Sequence, residues 1–325
     1  MKKIFVSLEY PGEAVGRLAE KYEVAVFREV RLPTRKELLE GAAGSSAVIS
    51  TVADSIDREF IDLLPDLKIV SNCGVGYENV DVSYATERGV MVTNTPNVLT
   101  ETTADLAWAL IFAVARRVVE ADAYVREGRF KTWHPSLLMG QNVHGKTLGV
   151  FGMGRIGSAV ARRASGFGMK VLYHNRSRNE ASEKETGAEY VEFPRLLEES
   201  DFIAITSPLN EGTRGRFGAE EFRMMKRSAI IVNVGRGPII KEAELAAALK
   251  DGTIWGAGLD VYEKEPEIAP GLLDLPNTVL LPHIGSAARE TREDMIDMAV
   301  TSVELALDGK TPKHLVNPEV LERLK

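Results

Sequence analysis

Three residues in the second half of the chain could carry acid–base chemistry, and each follows a short apolar run: Arg236, Glu265 and His283. Short apolar runs without polar alternation are typical of parallel strands buried on both faces. In sheets of this kind, ligands bind outside the carboxyl ends of the strands. The spacing therefore predicts that a guanidinium, a carboxylate and an imidazole converge at one edge of a sheet.

This set of groups suits the reduction of a 2-oxo acid. The Arg236 guanidinium can bind a substrate carboxylate through two parallel hydrogen bonds. Imidazoles titrate near neutrality, so His283 can protonate the carbonyl oxygen, while Glu265 favours the imidazolium and orients the ring. Hydride must come from a cofactor, and no metal is required. Taken singly, each residue could equally be a loop ion pair, a solvated acid or a satisfied loop histidine; their shared position favours catalysis.

A glycine-rich turn follows the apolar run 147–151 and precedes a helical pattern; its residues are Gly152, Met153, Gly154, Arg155, Ile156 and Gly157. In this setting the first glycine permits a tight turn, the second lets the backbone approach a pyrophosphate, and the third lets the helix pack on the strand. The helix N-terminus then offers N–H groups to the phosphates. We predict a dinucleotide site here; the alternative is a tight turn without a ligand.

The residues after the next apolar run predict the cofactor type. NAD sites hold the ribose 2′-hydroxyl with Asp or Glu at this strand end, whereas here the run 171–174 leads into Asn175, Arg176 and Ser177. Arg176 can pair with a 2′-phosphate, and Ser177 can donate a hydrogen bond to it. The sequence therefore predicts NADP(H) in preference to NAD(H); the alternative is that Arg176 and the nearby Arg178 only solvate a loop.

The elements that must position these residues alternate along the chain. Five apolar runs separated by helical patterns occupy the first hundred residues, at 3–7, 23–27, 47–51, 68–72 and 90–94, and six more follow between 147 and 281. The alternation predicts an α/β chain with two doubly wound parallel-sheet domains, Rossmann-like or flavodoxin-like. We also expect a helix over 100–117 with Thr100 as N-cap, and a last helix over about 286–308 that ends at Gly309.

The amino-acid composition excludes several classes of binding partner and site. The 325 residues carry 40 basic and 47 acidic side chains, a net charge of -7, which disfavours nucleic acid and anionic membranes as partners but permits a small anionic substrate in a local cationic pocket. A single cysteine, Cys73, rules out an intrachain disulfide, and the five histidines lack metal-ligand spacing. With neither a leader-like start nor a membrane-length apolar run, the protein is expected to be cytoplasmic.

Two further motifs complete a pattern that covers nearly the whole chain: 72–81 (Asn-Cys-Gly-Val-Gly-Tyr-Glu-Asn-Val-Asp) and 93–96 (Thr-Asn-Thr-Pro). Together with the glycine turn and the Arg236, Glu265 and His283 segments, they resemble the D-isomer-specific 2-hydroxyacid dehydrogenase family, most closely its glyoxylate/hydroxypyruvate reductase branch. The resemblance implies NADPH-dependent reduction of a small 2-oxo acid to the D-2-hydroxy acid. A 2-ketogluconate reductase of the same family and a non-enzymatic, corepressor-like nucleotide sensor are the alternatives.

The resemblance also implies a split substrate-binding domain, residues 1–98 with 286–325, around an NADP-binding domain, residues 99–285, with a cleft between them. Backbone N–H groups of Val75 and Gly76 would bind the substrate carboxylate. Further cofactor contacts are implied at Thr103, Ser207, Pro208, Val234, Gly235, Asp260 and Gly285. The family is usually homodimeric through helices near 100–128, and the segment 133–138, with Leu137 where some relatives carry an aromatic, can reach a partner's active site.

Overall fold

The computed structural model describes residues 1–324 and divides into two compact units. Unit 1 comprises Met1–Leu99 and Ser286–Lys325, and unit 2 comprises Thr100–Gly285. Each unit has a parallel β-sheet of its own, so the predicted fold class of two doubly wound α/β domains is confirmed.

Unit 1 is built on a five-stranded sheet with the order β2-β1-β3-β4-β5, in which every pairing is parallel. This is the flavodoxin-like order. The elements of unit 1 are β1 Lys3–Val6, α1 Ala14–Ala19, β2 Glu23–Val26, α2 Arg35–Ala42, β3 Ser45–Ser50, α3 Arg58–Asp62, β4 Ile69–Asn72, α4 Val82–Glu87, β5 Met91–Thr93, α13 Arg289–Leu307 and α14 Val320–Arg323.

Unit 2 contains a seven-stranded parallel sheet with the order β12-β11-β10-β9-β6-β7-β8. Its elements are α5 Thr100–Ala115, α6 Val118–Arg126, β6 Thr147–Phe151, α7 Arg155–Ala164, β7 Lys170–His174, α8 Glu180–Thr186, β8 Glu189–Tyr190, α9 Phe193–Glu199, β9 Phe202–Ile205, α10 Ala219–Met224, β10 Ile230–Asn233, α11 Glu242–Lys250, β11 Gly256–Leu259, α12 Pro270–Leu273 and β12 Thr278–Leu280. Short 3-10 turns lie at Ser165–Phe167 and Gly237–Ile239.

The strand order of unit 2 reverses between β6 and β9, which are neighbours in the sheet although two strands separate them in the chain. Such a switch point opens a crevice at the carboxyl edge of a doubly wound sheet, because successive connections leave toward opposite faces. The central strands are fully buried, as in 202–205 and 230–233, and these two are apolar except for Asn233. The loops at this edge therefore stand on a rigid base.

Helix boundaries differ from the sequence predictions in three places. Thr100 is the first residue of α5 rather than its N-cap, and α5 ends at Ala115 because Arg117 adopts a left-handed conformation (φ 52°) that breaks the predicted helix. The last long helix begins at Arg289, not at Ser286. The C-terminal prediction is confirmed: Gly309 has φ 74° and its N–H donates to Ala306 O just beyond α13.

The structure also contains β8, a two-residue strand at the end of the sheet that the apolar pattern did not indicate. Within residues 1–324, none of the helices combines the length and the apolar character required to traverse a bilayer.

Candidate active site

The loops at the carboxyl edge of the unit 2 sheet carry most of the predicted site residues. In spatial order, His283 follows β12, Glu265 follows β11, Arg236 follows β10, Ser207 follows β9, and the glycine turn follows β6. Since all seven strands are parallel, these loops leave the same edge. The sequence prediction that separate strand ends deliver these groups to one edge matches this topology.

His283 and Glu265 form a direct pair. The Nδ1 atom of His283 lies 2.7 Å from Glu265 Oε2, and both side chains are about one-third exposed. Burial works against the charged carboxylate, but the hydrogen bond and charge of His283 outweigh it, so the pKa of Glu265 lies below its ordinary value. A carboxylate can only accept, so Nδ1 donates to it, and Nε2 is the ring nitrogen that Glu265 does not occupy.

Arg236 lies at the start of the loop that follows β10 and is partly buried. Its Nη1 donates to Gly235 O at 2.8 Å, and its positive charge also helps to lower the pKa of Glu265. Asn233 shapes this turn: its side chain accepts from Gly235 N and donates to Arg236 O, both at 3.0 Å. The guanidinium and the His283–Glu265 pair therefore belong to one electrostatic group.

Asp260 holds the loop that carries His283. Its two carboxylate oxygens accept the N–H groups of Ile284 and Gly285 at 2.7 and 2.8 Å. His283 itself has φ 55°, a left-handed conformation that is costly for a residue with a side chain. Burial raises the pKa of Asp260 although these N–H groups favour its charged form. Asp260, expected from the resemblance as a cofactor contact, thus fixes the backbone next to the imidazole.

Glu242 holds the loop that carries Glu265. It is 4% exposed, and its carboxylate accepts the backbone N–H groups of Glu263 and, at 3.0 Å, Ala269. The contact is reciprocal, because Glu242 N donates to Glu263 Oε2 at 3.1 Å. Both ends of the segment 263–269 are therefore attached to the start of α11, and Glu265 lies between the two attachments.

The glycine turn has the shape that a pyrophosphate requires. A Cβ at Gly157 would lie 2.2 Å from Gly152 O, and one at Gly152 would lie 2.6 Å from Ser207 N, so both positions exclude side chains. A Cβ at Gly154 would have no heavy atom within 4 Å, which leaves open space beside the turn. The first N–H groups of a helix have no acceptor within it, so those of α7 can serve an anion bound at the turn.

Ser207 supports the same conclusion, because its Oγ is buried and has no hydrogen-bond partner within residues 1–324. A buried hydroxyl of this kind fits a site that is completed by a polar ligand. The turn, α7 and Ser207 therefore fit a dinucleotide. Pro208, by contrast, is exposed, and the Met153 side chain is buried in the apolar core, so Met153 has no side-chain group to offer a ligand.

The loop after β7 is attached to the glycine turn on both sides of Met153. Asn175 Oδ1 accepts Met153 N at 2.7 Å, and Asn179 Nδ2 donates to Met153 O at 2.8 Å. Arg176 and Ser177 lie between these anchors and are exposed. The two residues predicted to contact a 2′-phosphate thus occupy the tip of a short, tethered loop.

The remaining predicted residues fall into two groups. In unit 2, Thr103 is buried near Gly285, where an added Cβ would lie 3.4 Å from the threonine methyl, and Val234 is buried after β10. In unit 1, Val75 and Gly76 follow β4, and their carbonyls accept hydrogen bonds from Asn94 and Asn72. Those amides shape the loop and leave its N–H groups for other contacts.

Sequence reasoning missed the residues that hold the site rather than form it: Asn233, Glu242, Tyr262 and Asn179. The Tyr262 hydroxyl donates to Leu281 O at 2.8 Å, which links the loops after β11 and β12. Asn233 and Asn179 stand where strands and helices meet turns, the setting in which Asn commonly bonds nearby backbone, and that signal was available. Within residues 1–324, no cluster of three or more His, Cys, Asp or Glu side chains is placed to hold a metal ion.

The sequence is similar to known proteins over nearly its whole length. The family model described as "D-isomer specific 2-hydroxyacid dehydrogenase, NAD binding domain" matches residues 108–285. A curated glyoxylate reductase of Korarchaeum cryptofilum is 49% identical over 323 residues, which cover 98% of this chain and 97% of the relative. A Thermococcus litoralis glyoxylate reductase is 46% identical and covers 98% of each chain.

Solved structures agree over the full length. A crystal structure of a Thermus thermophilus protein superimposes with a TM-score of 0.91 at 44% identity, covering 97% of this chain and 99% of that chain. An NADPH-dependent glyoxylate/hydroxypyruvate reductase from Sinorhizobium meliloti, in complex with NADP and malonate, gives a TM-score of 0.85 at 34% identity, covering 98% and 97%.

Proposed function

The chain belongs to the D-isomer specific 2-hydroxyacid dehydrogenase family, and we propose that it reduces glyoxylate or hydroxypyruvate to the D-2-hydroxy acid with NADPH. The observation that carries this proposal is the 2.7 Å contact between His283 Nδ1 and Glu265 Oε2, at the sheet edge that also bears the glycine turn. The names of the relatives, glyoxylate reductases at 49% and 46% identity, support the substrate class.

The side chains divide the work as follows. Arg236 binds the substrate carboxylate through its guanidinium, which also orients the carbonyl. When bound, the reduced nicotinamide supplies a hydride to the carbonyl carbon. His283 gives the proton on Nε2 to the carbonyl oxygen, so the C=O bond becomes CH–OH. Glu265 keeps Nδ1 occupied, sets the tautomer and stabilises the imidazolium before transfer.

The coenzyme preference is part of the proposal. An acid at the end of β7 would repel a 2′-phosphate, but Asn175 stands there and its side chain bonds Met153 N. Arg176 is exposed beside it and can meet the phosphate. Arg176→Ala should weaken NADPH binding far more than NADH binding; an equal loss for both would remove this part of the proposal.

We also propose that the protein is a homodimer. Apolar side chains are unusually exposed in and after α6: Val118, Val119, Val125, Phe130, Trp133 and Met139 are between 50% and 75% accessible. A cavity of about 470 Å³ lies beside them, lined by residues that include Ala123, Met139 and Trp255. A patch of this kind marks an interaction surface, and Leu137 lies in the same segment. Sedimentation analysis of the full chain tests this proposal by showing whether the protein is a dimer or a monomer.

The direct test is a kinetic panel of glyoxylate, hydroxypyruvate and 2-ketogluconate, each with NADPH and with NADH, followed by loss of absorbance of the reduced coenzyme. We expect turnover with the first two acids and a higher kcat/KM with NADPH. Dominant activity on 2-ketogluconate would reassign the substrate within the family. Absence of turnover with all three acids would favour a nucleotide-sensing role.

A further inference from the structure

A second arginine stands near the predicted 2′-phosphate position, but it is already engaged. Arg178 Nε and Nη2 donate to the two carboxylate oxygens of Glu183 at 3.0 and 2.6 Å, a bidentate ion pair. The Arg178 side chain is 60% exposed, whereas Glu183 is only 16% exposed. The donors of Arg178 that point to Glu183 are therefore not available to a ligand while the pair holds.

A chain of hydrogen bonds connects Glu183 to the glycine turn. The Tyr173 hydroxyl donates to Glu183 Oε1 at 2.5 Å and accepts Asn179 N at 2.8 Å. Asn179 then donates to Met153 O at 2.8 Å. Because Tyr173 is a fully buried residue of β7, the position of its hydroxyl in this series of hydrogen bonds is fixed by the sheet. The Glu183 carboxylate is thus tied to Arg178 and, through Tyr173, to Asn179, which belong to the loop that carries Arg176 and Ser177.

The charge of Glu183 bears on the choice between NADPH and NADH. The hydrogen bonds from Arg178 and then from Tyr173 lower the pKa of Glu183 to about 2, so the group is charged at neutral pH. A negative charge beside the ribose opposes a 2′-phosphate, which is the principle by which NAD sites select their coenzyme. The acid must be neutralised if the same loop is to accept a phosphate.

We propose that Arg178 neutralises the charge of Glu183. Binding of a 2′-phosphate then depends on this ion pair and not on a direct contact between Arg178 and the phosphate. This inference rests on the proposed NADPH preference. Arg176 is then the residue that contacts the phosphate, while Arg178 and Glu183 are positioning and specificity-determining residues.

The test uses the full chain and two small probes, adenosine 2′,5′-bisphosphate and adenosine 5′-monophosphate, whose dissociation constants are measured by calorimetry. The discrimination between them isolates the 2′-phosphate and needs no turnover. We expect Arg178→Gln to reduce discrimination about threefold to tenfold, because it exposes the acid. Glu183→Gln should raise it by a similar factor, and the double variant should return close to the unmodified protein.

Matched variants separate charge from structure. Arg178→Lys keeps the charge and should keep most of the discrimination. Arg195→Gln breaks ion pairs with Glu199 on α9 and Glu189 on β8 and should change nothing. Raising the salt to about 1 M should shrink the effect of Arg178→Gln, since an exposed charge pair is then screened. Thermal unfolding of every variant shows whether the fold is retained.

Three outcomes would overturn the inference. If the double variant stays as weak as Arg178→Gln, Arg178 is a direct phosphate ligand. If both single variants weaken both probes equally, the pair only supports the fold of the loop. If Glu183→Gln leaves discrimination unchanged, the acid is too far from the phosphate to act. Failure of the proposed NADPH preference looks different, because the unmodified protein would then bind the two probes with equal affinity.

Discussion

The carboxyl edge of the unit 2 sheet has two regions that present their ligand-binding groups in different ways. We call the loops after β10, β11 and β12 the acid–base region and those after β6 and β7 the dinucleotide region. In the acid–base region, side chains do the proposed chemistry, and carboxylates that accept backbone N–H groups hold their loops. In the dinucleotide region, the backbone itself faces the proposed ligand, and the absence of side chains is what matters.

This difference determines what each region can tolerate. The acid–base region should accept replacements that keep the shape of a side chain, and these should change rate more than folding. The dinucleotide region should be sensitive to a single added methyl group, because backbone atoms lie within 2.2 to 2.6 Å of the position that this group would occupy at Gly157 and Gly152. The two regions therefore call for opposite kinds of variants.

The largest effect is expected at His283. His283→Ala removes the proposed proton donor and should lower kcat for glyoxylate reduction by ~10²–10⁴-fold, while NADPH binding, measured by fluorescence, stays the same. His144→Ala, an exposed histidine before β6, is the matched control and should keep full activity. If His283→Ala retained kcat within about tenfold of the unmodified protein, the proton-donor role would be lost.

Two glycines of the turn give the next largest effects and sharpen the contrast. Gly154→Ala places a methyl in the open space of the turn and should weaken coenzyme binding by roughly 10–100-fold without changing the thermal midpoint. Gly157→Ala drives a methyl against Gly152 O and should lower the thermal midpoint as well, by about 2–10 °C. The idea of a backbone-lined phosphate site would be contradicted if Gly154→Ala bound coenzyme normally.

The difference between the two regions also explains which of their residues could be predicted from the sequence. Glycine spacing after an apolar strand is a direct signal, because a tight turn and close backbone approach favour a residue without a side chain, and Gly152, Gly154 and Gly157 were predicted that way. Arg236, Glu265 and His283 were predicted because each is a charged or titratable side chain just after a buried strand, where ligands bind in parallel sheets. The strands themselves were predicted to within one or two residues, apart from β8.

Two of the supporting residues, Glu242 and Tyr262, could not be found from the sequence, because their roles depend on contacts that are distant in sequence. Glu242 begins a helix and resembles an ordinary first-turn acid; only the packed structure buries it against the segment 263–269. Arg117 was placed inside a helix because nothing in its residue type indicates φ 52°. Nothing in the sequence indicated that Arg178 pairs with Glu183.

A smaller effect is expected when the support of the acid–base region is weakened. Glu242→Gln removes the charge that holds the backbone at residues 263 and 269, so Glu265 should be less well placed and kcat should fall about threefold to tenfold. The KM for the coenzyme should not change. Glu244→Gln, two residues along the same helix, is the control, because its carboxylate bonds Ala219 N instead. A change in the coenzyme KM alone would contradict this role.

The smallest effect concerns stability in acid. The pKa of Glu265 is lower in the folded protein than its ordinary value of 4.5. Burial alone would raise this pKa, but the hydrogen bond and the charge of His283 outweigh burial. A group with a depressed folded-state pKa stabilises the fold above its unfolded pKa, and that contribution is lost as the pH falls through the folded value. The thermal midpoint of the unmodified protein should therefore exceed that of Glu265→Gln at about pH 6, and the gap should narrow as the pH falls below 4.5. A gap that stays constant across this range would show that the carboxylate charge contributes nothing to stability, and that Glu265 serves the imidazole by orientation alone.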